Sequence, residues 1–170
     1  VVVLAGGLSH QRDISLKSGR TVAQALRRVG HEVVEADIDS SLIETLRAND
    51  GAVVFPMLHG GLGENGALLE VLQLMDIPYV GSGPATCRIS FDKSIASRTV
   101  AAAGVAIPQQ AALPHDVFRE LGAQTVIRSI TERFGLPVIV KPARGGSSLG
   151  VMKVEDAADL PQAIANAYAY

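Results

Sequence analysis

An α/β fold with an open parallel sheet, followed by a smaller α+β unit, is what this sequence predicts, on three observations. Apolar and β-branched runs at residues 1–5, 32–37 and 52–58 alternate with segments of helical spacing, which is the order βαβαβ. The strand candidate 52–58 is apolar at nearly every position rather than at alternate ones, as in a parallel sheet covered on both faces. Beyond the break Gly104-Val-Ala-Ile-Pro108 the texture changes to a strand, a glycine and serine loop and a second strand.

Taken in order, residues 1–5 form a buried strand and Gly6-Gly7 a turn. Residues 14–29 carry helical spacing at Leu16, Val22, Ala25, Leu26 and Val29, and Gly30 ends that helix. Asp13 or Ser15 is expected to cap it. A strand over 32–37, a helix over 40–47 and a strand over 52–58 follow. The loop 59–65 leads to a helix over 67–75, a short fourth strand over 77–80 and the turn Gly81-Ser-Gly-Pro84. A helix over roughly 93–103 precedes the break, so a domain boundary falls near 92–107, giving units 1–92 and 93–170. The stretch to Phe134 reads as connection plus one helix, and residues 138–141 and 151–154 as a hairpin with the glycine loop at its tip. Two strands and two helices leave that second unit incomplete. Val1 opens directly in a strand and the helix at 161–170 stops without a cap, the ends expected of a trimmed piece.

Composition narrows the function. The 170 residues are 48% apolar with a net charge of −2, and the 15 Lys and Arg are dispersed, so no nucleic-acid footprint is present. The single cysteine, Cys87, excludes an internal disulfide and any multi-cysteine metal site. No apolar run approaches the ~20 residues that span a bilayer, no membrane partner is expected, and the cytoplasm is the default location.

The densest chemistry lies in Lys141-Pro-Ala-Arg-Gly-Gly-Ser-Ser-Leu-Gly150. A buried strand delivers Lys141 to a loop in which Gly145 and Gly146 let backbone N–H groups approach a polyphosphate, while Ser147 and Ser148 add hydroxyl donors. The lysine precedes the glycines, the reverse of a Walker A loop. A rival is Gly61-Leu-Gly-Glu-Asn-Gly66, which satisfies the dinucleotide-binding GxGxxG pattern but follows the third strand and lacks an acid about 20 residues on. In the same loop His59 and Glu64 can face the crevice and suit a zwitterionic ligand. A loop histidine and a Glu complementing the helix dipole would look no different.

Six segments in fixed order carry a resemblance. They are the loop Gly6-Gly-Leu-Ser9 with Arg12-Asp-Ile-Ser-Leu16, His59-Gly-Gly-Leu-Gly-Glu-Asn-Gly66, Ile77-Pro-Tyr-Val-Gly-Ser-Gly83, Phe91-Asp-Lys93, Gly135-Leu-Pro-Val-Ile-Val-Lys-Pro142 and Gly146-Ser-Ser-Leu-Gly150. Together they resemble the D-alanine:D-alanine ligases of the ATP-grasp superfamily. The resemblance implies an open parallel sheet of a pre-ATP-grasp, Rossmann-like domain, followed by an incomplete α+β ATP-grasp central domain, with the C-terminal lobe absent. It implies an enzyme of peptidoglycan-precursor synthesis that uses ATP and two Mg²⁺, with Mn²⁺ an alternative, to join two D-alanines through an acyl phosphate. Lys93 and Lys141 match lysines that reach ATP phosphates, and Gly145, Gly146, Ser147 and Ser148 match the lid over the nucleotide. Ser147 also matches a serine that orients substrate. His59, Glu64, Tyr79 and Ser82 match the substrate side. The metal ligands would lie beyond residue 170, so residues 1–170 alone are expected to make no dipeptide. A homodimer is compatible with the resemblance.

Two departures stand out. Gln11 occupies the position of a family Glu that binds the ammonium of the first substrate, and a hydrogen bond to a charged partner is worth about 1.5–3 kcal/mol against about 1 for a neutral one. Weaker D-alanine binding at that subsite is the expectation. Leu69-Glu70 stands where Gln-Gly is common, which bears on the packing of that helix. Besides the ligase, two alternatives remain open: an ATP-grasp relative with an altered amino-acid substrate or a regulatory role, and a dinucleotide-binding module built on Gly61 to Gly66.

Overall fold

Three short parallel strands seed the first of two units, Val1–Phe91 and Asp92–Tyr170, into which the computed structural model divides the 170 residues that it describes. Strand β1 (Val2–Leu4) is wholly buried and central, with β2 (Val34–Ala36) and β3 (Val54–Pro56) on its two sides. Both pairings are parallel, Val2 lying opposite Val34 and Val54. A central strand has no exposed face, which is why its sequence is unbroken valine and leucine, whereas edge strand β2 is largely exposed and carries Glu35.

Period-two alternation divides the packing. Val2 and Leu4 join Val54, Leu58, Leu42 and Leu46 of helix α2 (Leu42–Ala48), and Leu68, Leu69 and Leu72 of helix α3 (Ala67–Leu74) in one core. Val3 points the other way, toward helix α1 (Arg12–Arg28), where Ser15, Gly19 and Ala23 are the buried residues. This corrects the expected apolar stripe, since Val29 is exposed and Leu16, Val22 and Leu26 are only half-buried. The reason is distance. A Cβ on Gly19 would lie 2.4 Å from the Ala5 Cβ, so small residues four apart let the helix lie closer to the sheet than leucines would. The cap is corrected too. Gln11 stands at the N-cap without a side-chain bond, Asp13 lies in the first turn, and Ser15 is buried inside the helix.

The fourth strand shrinks to one parallel bridge, Val54 to Tyr79, in which Val54 donates to the Pro78 carbonyl (2.8 Å) and Val80 to the Val54 carbonyl (2.9 Å). Pro78 has no N–H to extend the ladder and Gly81 turns the chain away. Helix α4 (Pro84–Phe91) was not expected. Proline suits a first helical position, but the helix buries only Pro84 and so lacks the stripe that would announce it. Leu69 is buried in the core, and Glu70 pairs with Arg88 of α4 at 2.8 Å, with both side chains at least half exposed. That pair adds little stability.

In the second unit helix α5 (Lys93–Ala102) is followed by α6 (His115–Leu121) and α7 (Ala123–Phe134), two helices where one was expected, broken at Gly122 with φ +83°. Strands β4 (Val138–Val140) and β5 (Met152–Val154) form the expected antiparallel hairpin, with Ile139 opposite Lys153. Its inner face, Val138, Val140, Met152 and Val154, packs against Ile127 and Ile130 of α7 and Leu160, Ala163 and Ile164 of α8 (Leu160–Tyr168). The Tyr168 hydroxyl donates to the Leu113 carbonyl (2.7 Å), and its ring meets His115 and Phe118 edge-on, which ties α8 to α6. No helix of the chain is long and apolar enough to cross a membrane.

Candidate functional site

In the first unit the polar cluster forms beyond the C-terminal ends of β1 and β3, where ligands of open α/β sheets gather. Ser15 is fully buried, and its Oγ accepts from the Gly6 N–H (2.8 Å) and donates to the Met57 carbonyl (2.7 Å), joining the loops after the two strands. Ser9 repeats the device. Its hydroxyl donates to the His59 carbonyl (2.5 Å) and accepts from the Gln11 N–H (3.0 Å). The Ser18 hydroxyl lies 3.2 Å from His59 Nε2, which fixes the imidazole against α1. Gln11 Oε1 approaches Gly60 so closely that a Cβ there would sit 3.0 Å from it. Gln11 and His59 are thus neighbours across the two loops. Glu64 closes the 3₁₀ turn Gly61–Gly63, half-buried, Tyr79 accepts from Gln73 Nε2 at 3.0 Å, and Ser82 is exposed before α4. No hydrogen bond joins Glu64, Tyr79 or Ser82 to the Ser9–His59 group.

Asp37, the residue after β2, holds the first loop. Its carboxylate accepts from the N–H groups of Gly7 and Ile38, both at 2.7 Å, and from the Arg12 guanidinium. The Arg12 hydrogen bond, with those two backbone donors, holds the Asp37 carboxyl below its ordinary range, and the Arg12 guanidinium is raised in turn. A group whose folded pKa is depressed contributes stability above its unfolded pKa and loses it as pH falls through the folded value. Thermal midpoints followed from about pH 6 to about pH 3 are therefore expected to fall below about pH 4, and less steeply in Asp37→Asn. An unchanged acid slope in that variant would show that Asp37 gains nothing from its partners.

Two glycines of the dinucleotide-like loop serve their own chain. A Cβ on Gly63 would lie 2.4 Å from the Leu58 Cβ, and one on Gly66 would lie 2.4 Å from the Pro84 carbonyl oxygen. Both are needed for packing, with no pyrophosphate required to explain them.

The second unit brings two lysine-bearing segments to the glycine and serine loop. Asp92 caps α5, accepting from the N–H groups of Ser94 (3.1 Å) and Ile95 (3.3 Å). Lys93 then donates its N–H to the Ala143 carbonyl (2.8 Å) and its ammonium to the Gly145 carbonyl (2.6 Å). Arg144 Nε donates to Asp92 Oδ2 at 3.2 Å. The Ser94 hydroxyl, at 2.7 Å, heads the groups that keep the Asp92 carboxyl below its usual range. Lys141 follows β4 and is exposed, as are Gly146 and Ser148, while Gly145 and Ser147 are half-buried. The loop closes at Gly150, φ +70°, where a Cβ would lie 2.9 Å from the Tyr170 ring and 3.0 Å from Pro142.

Ser15, Ser18, Asp92 and Arg144 were not singled out from sequence as site residues. Asp92 had a signal, an aspartate directly before a helical segment. Arg144 and Ser18 had none, because their partners lie 52 and 41 residues away, and the Ser15 tie to Met57 spans 42.

Two family models match the chain, D-ala D-ala ligase N-terminus over residues 41–82 and D-ala D-ala ligase C-terminus over residues 99–170. It is similar to D-alanine–D-alanine ligase of Desulforudis audaxviator (strain MP104C), 40% identical over 168 residues that make up 99% of this chain and 53% of that protein. Among solved structures, D-alanyl-alanine synthetase A from Vibrio cholerae O1 biovar eltor str. N16961 aligns with a TM-score of 0.82 at 26% identity, covering 99% of this chain and 56% of that one. VanG D-Ala:D-Ser ligase from Enterococcus faecalis aligns with a TM-score of 0.80 at 23% identity, over 99% and 59%, a likeness of fold alone. The parallel α/β unit followed by a hairpin with a glycine and serine loop is thus the architecture of a partial ATP-grasp enzyme. The chain belongs to the D-alanine–D-alanine ligase family. It spans about half the length of the curated relatives it matches.

Proposed function

We propose that this chain supplies the amino-acid side and the nucleotide lid of an ATP-dependent D-alanine:D-alanine ligase, acting in the cytoplasm in peptidoglycan-precursor synthesis. A carboxylate oxygen of one D-alanine takes the γ-phosphoryl group as ADP leaves. The amine of a second D-alanine adds to that carbonyl carbon, and phosphate departs with loss of the amine proton. The observation that carries the reading is the Lys93 ammonium on the Gly145 carbonyl at 2.6 Å, which sets a lysine from a distant helix start beside the glycine and serine loop. In this reading Lys93 and Lys141 hold the phosphates, where positioned cations offset the charge of the transferring group. The N–H groups of Gly145 and Gly146 and the Ser147 and Ser148 hydroxyls cover them, and Ser147 also orients the substrate. Gln11, His59, Glu64, Tyr79 and Ser82 serve the amino acid. Mg²⁺, or Mn²⁺, accompanies ATP in this reading, but no three His, Cys, Asp or Glu side chains of this chain cluster to hold a metal. Assembly as a homodimer is compatible with this reading.

ADP release that requires D-alanine is the expected result in the protein. Release without that requirement would favour an ATP-grasp relative with another substrate or a regulatory role, and saturable NAD(H) binding without ATP binding would sink both. Gln11 is what favours the relative, since its amide lies at Gly60 beside His59 without a charge to offer an ammonium. Gln11→Glu is expected to lower the half-saturating D-alanine concentration about tenfold, from the difference between charged and neutral hydrogen bonds. An unchanged value would refute the ammonium argument.

A further inference from the structure

Asp92 is buried, 8% exposed, and does more than begin a helix. Its Oδ1 accepts from the Ser94 and Ile95 N–H groups and the Ser94 hydroxyl, which closes the first turn of α5 and fixes the direction in which Lys93 leaves it. Its Oδ2 turns instead to Arg144, 52 residues away, and the two backbones meet in an isolated antiparallel bridge. Capping needs only the first oxygen; serine would cap as well. The second bond adds little stability, because the Arg144 side chain is 72% exposed and the pair is screened. Its consequence is geometric. With the Ala143 and Gly145 carbonyls on Lys93, it pins three successive residues of the loop stem to the start of α5.

We propose that Asp92 is a positioning residue for nucleotide binding: through Arg144 it holds the stem of the loop 145–150 against the start of α5, so that the Lys93 ammonium and the loop's N–H donors meet the same polyphosphate. The inference rests on the nucleotide reading above. A phosphate oxygen is a stronger acceptor than the Gly145 carbonyl and takes its place on the ammonium. The Ala143 and Asp92 ties survive that exchange, so the loop is freed at its tip and not at its stem.

The test is calorimetric titration of ATP with Mg²⁺ into the intact protein and its Asp92→Ser, Arg144→Gln and doubly substituted forms. Asp92→Ser keeps a helix cap but cannot reach Arg144. It is expected to retain helix content and melting point yet bind ATP about tenfold more weakly, the scale of one lost charge-assisted bond. Arg144→Gln is expected to lose as much, and the double variant no more than either. Should Asp92→Ser lower the melting point, Asp92→Asn, which keeps the side chain's shape, is the substitute. Wild-type affinity in Asp92→Ser would make Asp92 a cap only and overturn the proposal. Losses that multiply in the double variant would overturn it as well, since Arg144 would then act on its own. Failure of the unaltered intact protein to bind ATP would instead overturn the nucleotide reading and this inference with it.

Discussion

Alanine in place of Gly6 is expected to cost the first unit about 3 kcal/mol or more, from two separable sources. Gly6 has φ +111°, a conformation in which a side chain is strained by about 1–2 kcal/mol. The added Cβ would also lie 2.2 Å from Asp37 Oδ1. That carboxylate has nowhere to retreat at low cost, since it holds the Gly7 and Ile38 N–H groups and the Arg12 guanidinium. Moving it leaves those donors without their acceptor. A melting point more than about 10 °C below wild type is therefore expected for a unit of this size. Asp37→Ala in the same chain removes the clash but not the backbone strain, so the double variant should recover part of the loss relative to the sum of the single changes. A Gly6→Ala melting point within about 2 °C of wild type would show that the loop yields and that Asp37 does not fix it.

Ser15→Ala is expected to cost about 2–4 kcal/mol, though it removes one oxygen atom. The site is fully buried, and both neighbours of that oxygen are backbone groups, the Gly6 N–H at 2.8 Å and the Met57 carbonyl at 2.7 Å. Every buried side-chain polar atom of the chain has a partner, and this change leaves two main-chain groups without theirs. Water cannot replace the hydroxyl without opening the seam between α1 and the sheet. The functional consequence follows from position. Ser15 joins the loop that leads to Gln11 to the strand end that leads to His59, so their separation loosens and D-alanine affinity should fall with stability. Hydrogen exchange at the Gly6 amide gives the direct reading: protection should drop well below that of the β1 amides. Undiminished protection would show that another group takes over the bond.

The fold was legible where local chemistry decides it. Strand β1, the helix stop near Gly30 and the hairpin around the glycine and serine loop follow from short apolar runs, glycines and chain reversals within a few residues. The helical stripe of α1 misleads, because the buried face is set by close approach to the sheet, with Gly19 against Ala5, which selects the small Ser15, Gly19 and Ala23 over larger apolar residues. Helix α4 was missed for a related reason: a helix with one buried residue carries no periodicity. Of the site, the lysine and glycine segments were visible as motifs. The tie from Lys93 to Gly145 was not, since nothing within either segment names the other.

By itself the sequence determined the βαβαβ order that opens the chain, the two lysines, the donor-rich loop after β4 and the substitution at Gln11, all properties of residue type and short-range spacing. Only the tertiary structure decided that Ser15 joins two loops, that Asp37 closes on Gly7 and Arg12, and that Asp92 meets Arg144. A hydrogen bond depends on a few tenths of an ångström and on a partner tens of residues distant. Hydrophobic periodicity records which face of an element is buried, and carries no information about which polar group waits there.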